Sequence, residues 1–133
     1  MKHLGTKTIE TRRLVLRRFT LSDAEPMYRN WASDPEVTRY LLWPAHESEE
    51  ETKGILKGWI AAYEKPEKYE WCIELKEIGE AIGSIGVVAV NEKVQSMEVG
   101  YCLSCDYWNK GIMSEALEAC LLYTSPSPRD RSL

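Results

Sequence analysis

The chain has 133 residues, 44% of them hydrophobic and 29% charged, enough for one domain with its own core and ordinary for a soluble globular protein. A formal net charge of −4 argues against duplex nucleic acid as a partner. No apolar run approaches membrane-span length and residues 1–5 lack a secretory apolar stretch, so no membrane partner is expected and the chain reads as cytoplasmic.

Residues 14–19, Leu-Val-Leu-Arg-Arg-Phe, predict a first strand, being rich in side chains that pack on a pleated surface. Lys2, Lys7, Arg12, Arg13, Arg17 and Arg18 crowd this end, and a solvated strand flank accounts for most of them. Ala24, Met27, Tyr28, Trp31 and Ala32 then recur at i, i+3, i+4, i+7 and i+8, the apolar stripe of a helix. Thr20 or Ser22 can cap it, and Asp34-Pro35 ends it, because a residue before proline avoids helical backbone. A connection over 37–47 has Trp43-Pro44 at its tip. Ser48-Glu-Glu-Glu51 has the form of a capping box opening a second helix, with Ile55, Leu56, Trp59, Ile60 and Tyr63 on its buried face. Gly54 and Gly58 weaken that helix by about 1 kcal/mol each relative to alanine, which hints at close packing there. The acidic run at 47–51 suits a helix start rather than a metal site.

Three strands follow. Residues 69–75 alternate, residues 81–90 carry glycines that suggest a bulge or close backbone approach, and residues 96–103 lead into the polar turn Asp106-Tyr-Trp-Asn-Lys-Gly111. A helix from about Ile112 is expected to bury Ile112, Ala116, Leu117, Cys120 and Leu121. Strand, glycine-ended turn and helix together present main-chain N–H groups and a positive helix end to phosphate oxygens. The cysteines are Cys72, Cys102, Cys105 and Cys120. Cys102 and Cys105 have redox or metal spacing, but no second pair exists, His3 and His46 are scattered, and Cys102 sits inside a strand; free, buried thiols are expected, and no metal. After residue 123 the composition turns to serine, proline and arginine without apolar period.

Residues 11–25 and 31–37, then Ile82-Gly-Ser-Ile-Gly86, Glu98-Val-Gly-Tyr-Cys-Leu103 and Tyr107-Trp-Asn-Lys-Gly-Ile-Met-Ser-Glu-Ala-Leu117, resemble in order the GCN5-related N-acetyltransferases. The closest branch is the one named for enzymes that acetylate ribosomal-protein N-termini, and the resemblance covers about residues 9–121. It implies an α/β three-layer domain over residues 1–123, a mixed and mostly antiparallel sheet flanked by helices. It further implies that the family's closing strands and last helix are missing, with residues 124–133 expected to form a disordered or foreign tail. It also implies acetyl-CoA as co-substrate and an amine acceptor, a protein N-terminus or a small molecule. Tyr101, Cys102 and Leu103 would follow the pantetheine arm through main-chain groups, and Asn109, Lys110, Gly111, Ile112 and Met113 would surround the pyrophosphate. Lys110 either adds charge there or is a solvated surface lysine; Ser114 either donates its hydroxyl or only caps. Gly111 would be glycine so that no side chain stands between backbone and phosphate. The family's usual pattern has Arg or Gln at the position of Trp108 and Gly or Ala at that of Met113.

Acetyl transfer needs a deprotonated amine, a donor for the oxyanion and a proton for the thiolate. An amine with a pKa of about 10.4 is protonated at neutral pH, so a carboxylate must take its proton. Glu98 is the candidate, against its other reading as a solvent-facing strand glutamate. The oxyanion donor would be a backbone N–H around Cys102 or Leu103. The family's tyrosine acid lies beyond the next strand, and Tyr123 comes too early to replace it. Trp43, beside a proline in a loop, is expected to face the substrate; Trp59 is expected in the core. The strand at 97–103 is expected to expose an unpaired edge through which the chain self-associates into a homodimer. Two other readings are a non-catalytic CoA-binding remnant and a redox protein using Cys102 and Cys105.

Overall fold

A computed structural model describes residues 5–39, 44–65, 69–91 and 96–124. Five strands, β1 (Ile9–Glu10), β2 (Leu14–Arg17), β3 (Tyr69–Leu75), β4 (Glu80–Asn91) and β5 (Ser96–Leu103), form one antiparallel sheet in the order β1-β2-β3-β4-β5. Between β2 and β3 lie a 3-10 turn (Leu21–Asp23), helix α1 (Ala24–Met27), a π turn (Tyr28–Ala32), α2 (Pro35–Thr38) and α3 (Glu49–Ala62); α4 (Ile112–Thr124) follows β5.

Alternation along the strands sends side chains to two separate cores, giving three layers. Leu14, Leu16, Trp71, Ile73, Ile85 and Leu103 pack with Ile112, Ala116 and Cys120 of α4. On the opposite face Phe19, Cys72, Ala81 and Cys102 pack with Ala24, Met27, Trp31, Ala32 and Leu56. The bulges suggested by the glycines are present: the register shifts at Ile73/Glu74, opposite Ala81 and Gly83, and again between Val87 and Ala89. Gly83 also marks a close approach, since a Cβ there would lie 2.3 Å from the Cys102 carbonyl oxygen.

Several local expectations change. The stripe at 24–32 is buried at Ala24, Met27, Trp31 and Ala32, but α1 is one turn long and widens into the π turn, where the Ser33 amide donates to the Tyr28 carbonyl at 3.1 Å. Asp34-Pro35 ends this segment and starts the next: the Asp34 carboxylate accepts from the Glu36 amide at 2.9 Å, and Pro35 takes the first position of α2. At α3 the Ser48 hydroxyl accepts from Glu51 N–H at 3.2 Å, while Glu51 reaches back to the Glu47 amide instead of that of Ser48. Ile55 is 41% exposed; the helix buries Thr52 and Leu56, and Trp59 is half-buried with its ring 5.2 Å from that of Phe19. Gly54 and Gly58 are exposed, with nothing within 4 Å of a Cβ, so no close packing explains them. On α4 Leu121 is 42% exposed rather than buried.

The basic flank is also more engaged than a solvated one. Arg17 makes paired 2.9 Å bonds to Asp23 and a 2.7 Å bond to Glu74, tying β2 to the 3-10 turn and to β3. Arg18 donates to the Thr6 carbonyl at 2.7 Å and lies over the Tyr63 ring. Arg12 and Lys7 are exposed.

Candidate functional site

β5 runs straight into the turn. The Ser104 amide donates to the Ile82 carbonyl at 2.9 Å, a 3-10 turn (Cys105–Tyr107) follows, and the Trp108 indole N–H returns to the Leu103 carbonyl at 2.9 Å. Trp108 thus staples the turn to the end of the strand. Asn109 (φ 62°) and Gly111 (φ 76°) both take the left-handed conformation. Asparagine tolerates it and glycine takes it without steric cost. This is why Gly111 is glycine: a Cβ there would meet only Arg13 Nη2 at 3.5 Å, so space is not the constraint.

The first α4 bond runs from the Glu115 amide to the Gly111 carbonyl at 3.1 Å, leaving the amides of Ile112, Met113 and Ser114 without a carbonyl one turn back. Among the described residues none accepts a hydrogen bond from the amides of 109–113. These groups open on a cleft of about 690 Å³ lined by Val37 of α2, by Tyr101, Cys102 and Leu103 of β5, and by Tyr107, Trp108, Asn109, Gly111, Ile112, Met113 and Ser114. All the residues expected around the cofactor are therefore brought together except Lys110, whose ammonium lies over the Tyr107 ring at 5.6 Å.

Backbone direction separates the two strand amides considered as oxyanion donors. The Ser104 amide bonds to β4, and the Cys102 carbonyl points at β4, where it would meet a Gly83 Cβ at 2.3 Å. Groups alternate sides along a strand, so the Leu103 N–H points away from β4, to the open side of β5. Glu98 lies on β5 opposite Ala89, at the second register shift and three residues before the cleft-lining Tyr101. Trp43 and residues 125–133 lie outside the described residues.

Two functional neighbours escaped the sequence reading. Glu115, in the first turn of α4, accepts from the Thr11 hydroxyl, from the Arg13 amide at 2.9 Å and from Arg13 Nε at 2.7 Å. Burial opposes its charge, yet these bonds hold its pKa down at about 2. Arg13 Nη1 also donates to the Lys110 carbonyl at 3.0 Å. Nothing local marks this pair, since Arg13 and Glu115 are 102 residues apart. A second tie joins α2 to the turn: the Cys105 thiol donates to Asp34 Oδ2 at 3.3 Å.

The cysteines are free thiols. Burial pushes Cys102 and Cys120 up to about 12 and raises Cys72 above the usual thiol range; Cys105 is raised chiefly by its bond to Asp34. Cys102 is buried in a core and Cys105 packs partly exposed against that same core, with its thiol bonded to Asp34. Among the described residues no group of three or more His, Cys, Asp or Glu side chains could hold a metal ion.

The model of the acetyltransferase (GNAT) domain matches residues 13–131. The chain belongs to the GNAT acetyltransferase family. It is 34% identical over 115 residues to the uncharacterized N-acetyltransferase YoaA of Bacillus subtilis, covering 86% of this chain and 64% of YoaA. A GNAT-family acetyltransferase crystal structure from Bacillus anthracis is 25% identical with a TM-score of 0.71, over 88% of this chain and 65% of that one. RimL, a ribosomal L7/L12 alpha-N-protein acetyltransferase crystallised with coenzyme A, shares the fold at 22% identity and TM-score 0.73, over 88% of this chain and 67% of RimL. The chain spans slightly less than two thirds of YoaA and of the B. anthracis protein. The resemblance read from the motifs thus holds at the level of family and three-layer fold, with helices on both faces of an antiparallel sheet.

Proposed function

We propose that this GNAT domain binds acetyl-CoA in the cleft between β5 and α4 and transfers the acetyl group to a primary amine, a protein N-terminus or a small molecule. The observation that carries the reading is the row of main-chain amides at 109–113, which have no partner among the described residues and border a cleft of about 690 Å³. Oriented amides at a helix start suit a diphosphate, and a cleft of this size suits a nucleotide-bearing ligand. YoaA is named an N-acetyltransferase and RimL was crystallised with coenzyme A, which supports the same ligand here.

The co-substrate supplies an acetyl thioester, whose carbonyl carbon accepts the amine nitrogen as its bond to sulfur breaks, and coenzyme A leaves as a thiolate that takes its proton from water. The amides of residues 109–113 donate to the diphosphate, and β5 guides the pantetheine arm past Tyr101, Cys102 and Leu103. The outward Leu103 N–H is the donor for the carbonyl oxygen as negative charge develops on it. Glu98 takes the proton of the ammonium, directly or through water. The reading includes a cytoplasmic location and a homodimer formed through the outer edge of β5 ahead of the cofactor-binding stretch 101–103, an edge that pairs only with β4 among the described residues. No helix among the described residues is long and apolar enough to cross a membrane.

Isothermal titration with acetyl-CoA, paired with an assay of free thiol released in the presence of amines, tests the reading. Binding by the wild type, its weakening in Gly111→Asp, where a side chain is strained at a φ of 76° and displaces the turn, and slower thiol release in Glu98→Gln are expected. Binding without thiol release would assign a non-catalytic CoA-binding domain instead, and unchanged affinity in Gly111→Asp would make the turn a mere connection.

A further inference from the structure

The guanidinium of Arg13 is the group in contact with the turn that the proposed chemistry leaves without a role. It joins two acceptors, the Lys110 carbonyl at 3.0 Å and Glu115 Oε1 at 2.7 Å, while the Arg13 backbone amide donates to Glu115 Oε2 at 2.9 Å. Arg13 does not line the cleft, although Gly111, whose Cβ position lies 3.5 Å from Arg13 Nη2, does. The side chain therefore grips the turn from behind.

That placement has two physical consequences. In a planar trans peptide the C=O of one residue and the N–H of the next point in opposite directions, and no peptide bond among the described residues is cis. Drawing the Lys110 carbonyl back onto Arg13 therefore turns the Gly111 N–H forward, toward the cleft. The second consequence is electrostatic. Glu115 stands in the first turn of α4, where a bare carboxylate compensates the positive end of the helix and repels an incoming anion. The Arg13 charge cancels it.

We propose that Arg13, paired with Glu115, is a positioning residue for the diphosphate of coenzyme A. From behind the turn it aims the Gly111 amide into the cleft and neutralises the acid that would oppose an anionic ligand. This inference rests on the cleft being the coenzyme A site. The cation serving this turn thus arrives from the start of β2, while Trp108 staples the strand end.

The test compares coenzyme A with pantetheine, which carries no phosphate, by titration against the wild type, Arg13→Gln, Arg13→Lys and the Arg13→Gln/Glu115→Gln double variant. Arg13→Gln should weaken coenzyme A by roughly tenfold or more, as for loss of a charge-assisted hydrogen bond, and change pantetheine by less than about twofold. Arg13→Lys should recover part of the loss, because an ammonium can still reach one of the two acceptors but lacks the fork for both. Removing Glu115 as well should bind coenzyme A more tightly than Arg13→Gln alone, the coupling expected of neighbours in one network. Wild-type coenzyme A affinity in Arg13→Gln, or equal loss for both ligands, overturns the proposal by making the ion pair a scaffold only. If Arg13→Gln fails to fold, Arg13→Lys decides on the same criterion, selective loss of coenzyme A. A wild type that binds pantetheine but not coenzyme A, or neither, fails one step earlier and sinks the cofactor reading itself.

Discussion

Glu115 shows how much one side chain can carry. Its carboxylate takes three hydrogen bonds, from the Thr11 hydroxyl and from the amide and guanidinium of Arg13, and its pKa falls from 4.5 to about 2. A carboxylate with a depressed folded-state pKa contributes stability that is present above its unfolded value and is lost as pH falls through the folded one. The acid branch of unfolding should therefore steepen between pH 4.5 and about 2, and Glu115→Gln should flatten that branch. Urea midpoints followed by circular dichroism across this window are the measurement; identical slopes in the two proteins would refute it. The same residue shows why local patterns fall short. A glutamate three residues into a helix reads as an ordinary first-turn acid, and its partner comes from the far end of the sheet.

Among the elements, the strands were the most legible. Residues 69–75 and 96–103 form strands with the expected bounds, and the suggested bulges of 81–90 are present, because alternation and glycine are local signals. The helices were less so. Periodicity marked residues 24–32 as apolar on one side, but not the change from an α turn to a π turn over Tyr28–Ala32. Helix α3 has the expected N-terminal cap with a wider, more exposed face: Ile55 is outside and both glycines face open space. Gly54→Ala and Gly58→Ala should each stabilise the domain by about 1 kcal/mol, raising Tm by a few degrees. Thermal melts check this, and a lowered Tm in either variant would reveal a packing role that the open space around them denies.

At the scale of the molecule, the sheet separates the two cores, and the α4-side core also anchors the segment ahead of β1. The Trp71 indole donates to the Lys7 carbonyl at 2.7 Å and the Tyr123 hydroxyl to the Gly5 carbonyl at 3.0 Å, so the segment ahead of β1 is pinned by β3 and by α4. The thiols report on this packing. Cys72, Cys102 and Cys120 are buried and held protonated, while Cys105 is partly exposed. A thiol reagent should modify the native protein slowly and first at Cys105, with the other three reacting only after denaturation. Rapid reaction of all four in the native state would mean that the cores open far more easily than their burial implies.

Contiguous residues determined what depends on neighbours along the chain: the strand–turn–helix unit, the capped start of α3 and the family motifs, whereas the left-handed backbone that requires glycine at 111 came only from the structure. The grouping of Tyr101, Cys102 and Leu103 with residues 109–114 was legible for the same reason, because a strand and the turn that follows it are bound to meet. Only the tertiary structure decided which of the crowded arginines are used, that Leu103 rather than Cys102 turns its amide outward, and that Arg13 stands behind the turn. Those outcomes depend on strand order, register and the meeting of groups 102 residues apart, and chain-local periodicity holds no information about them.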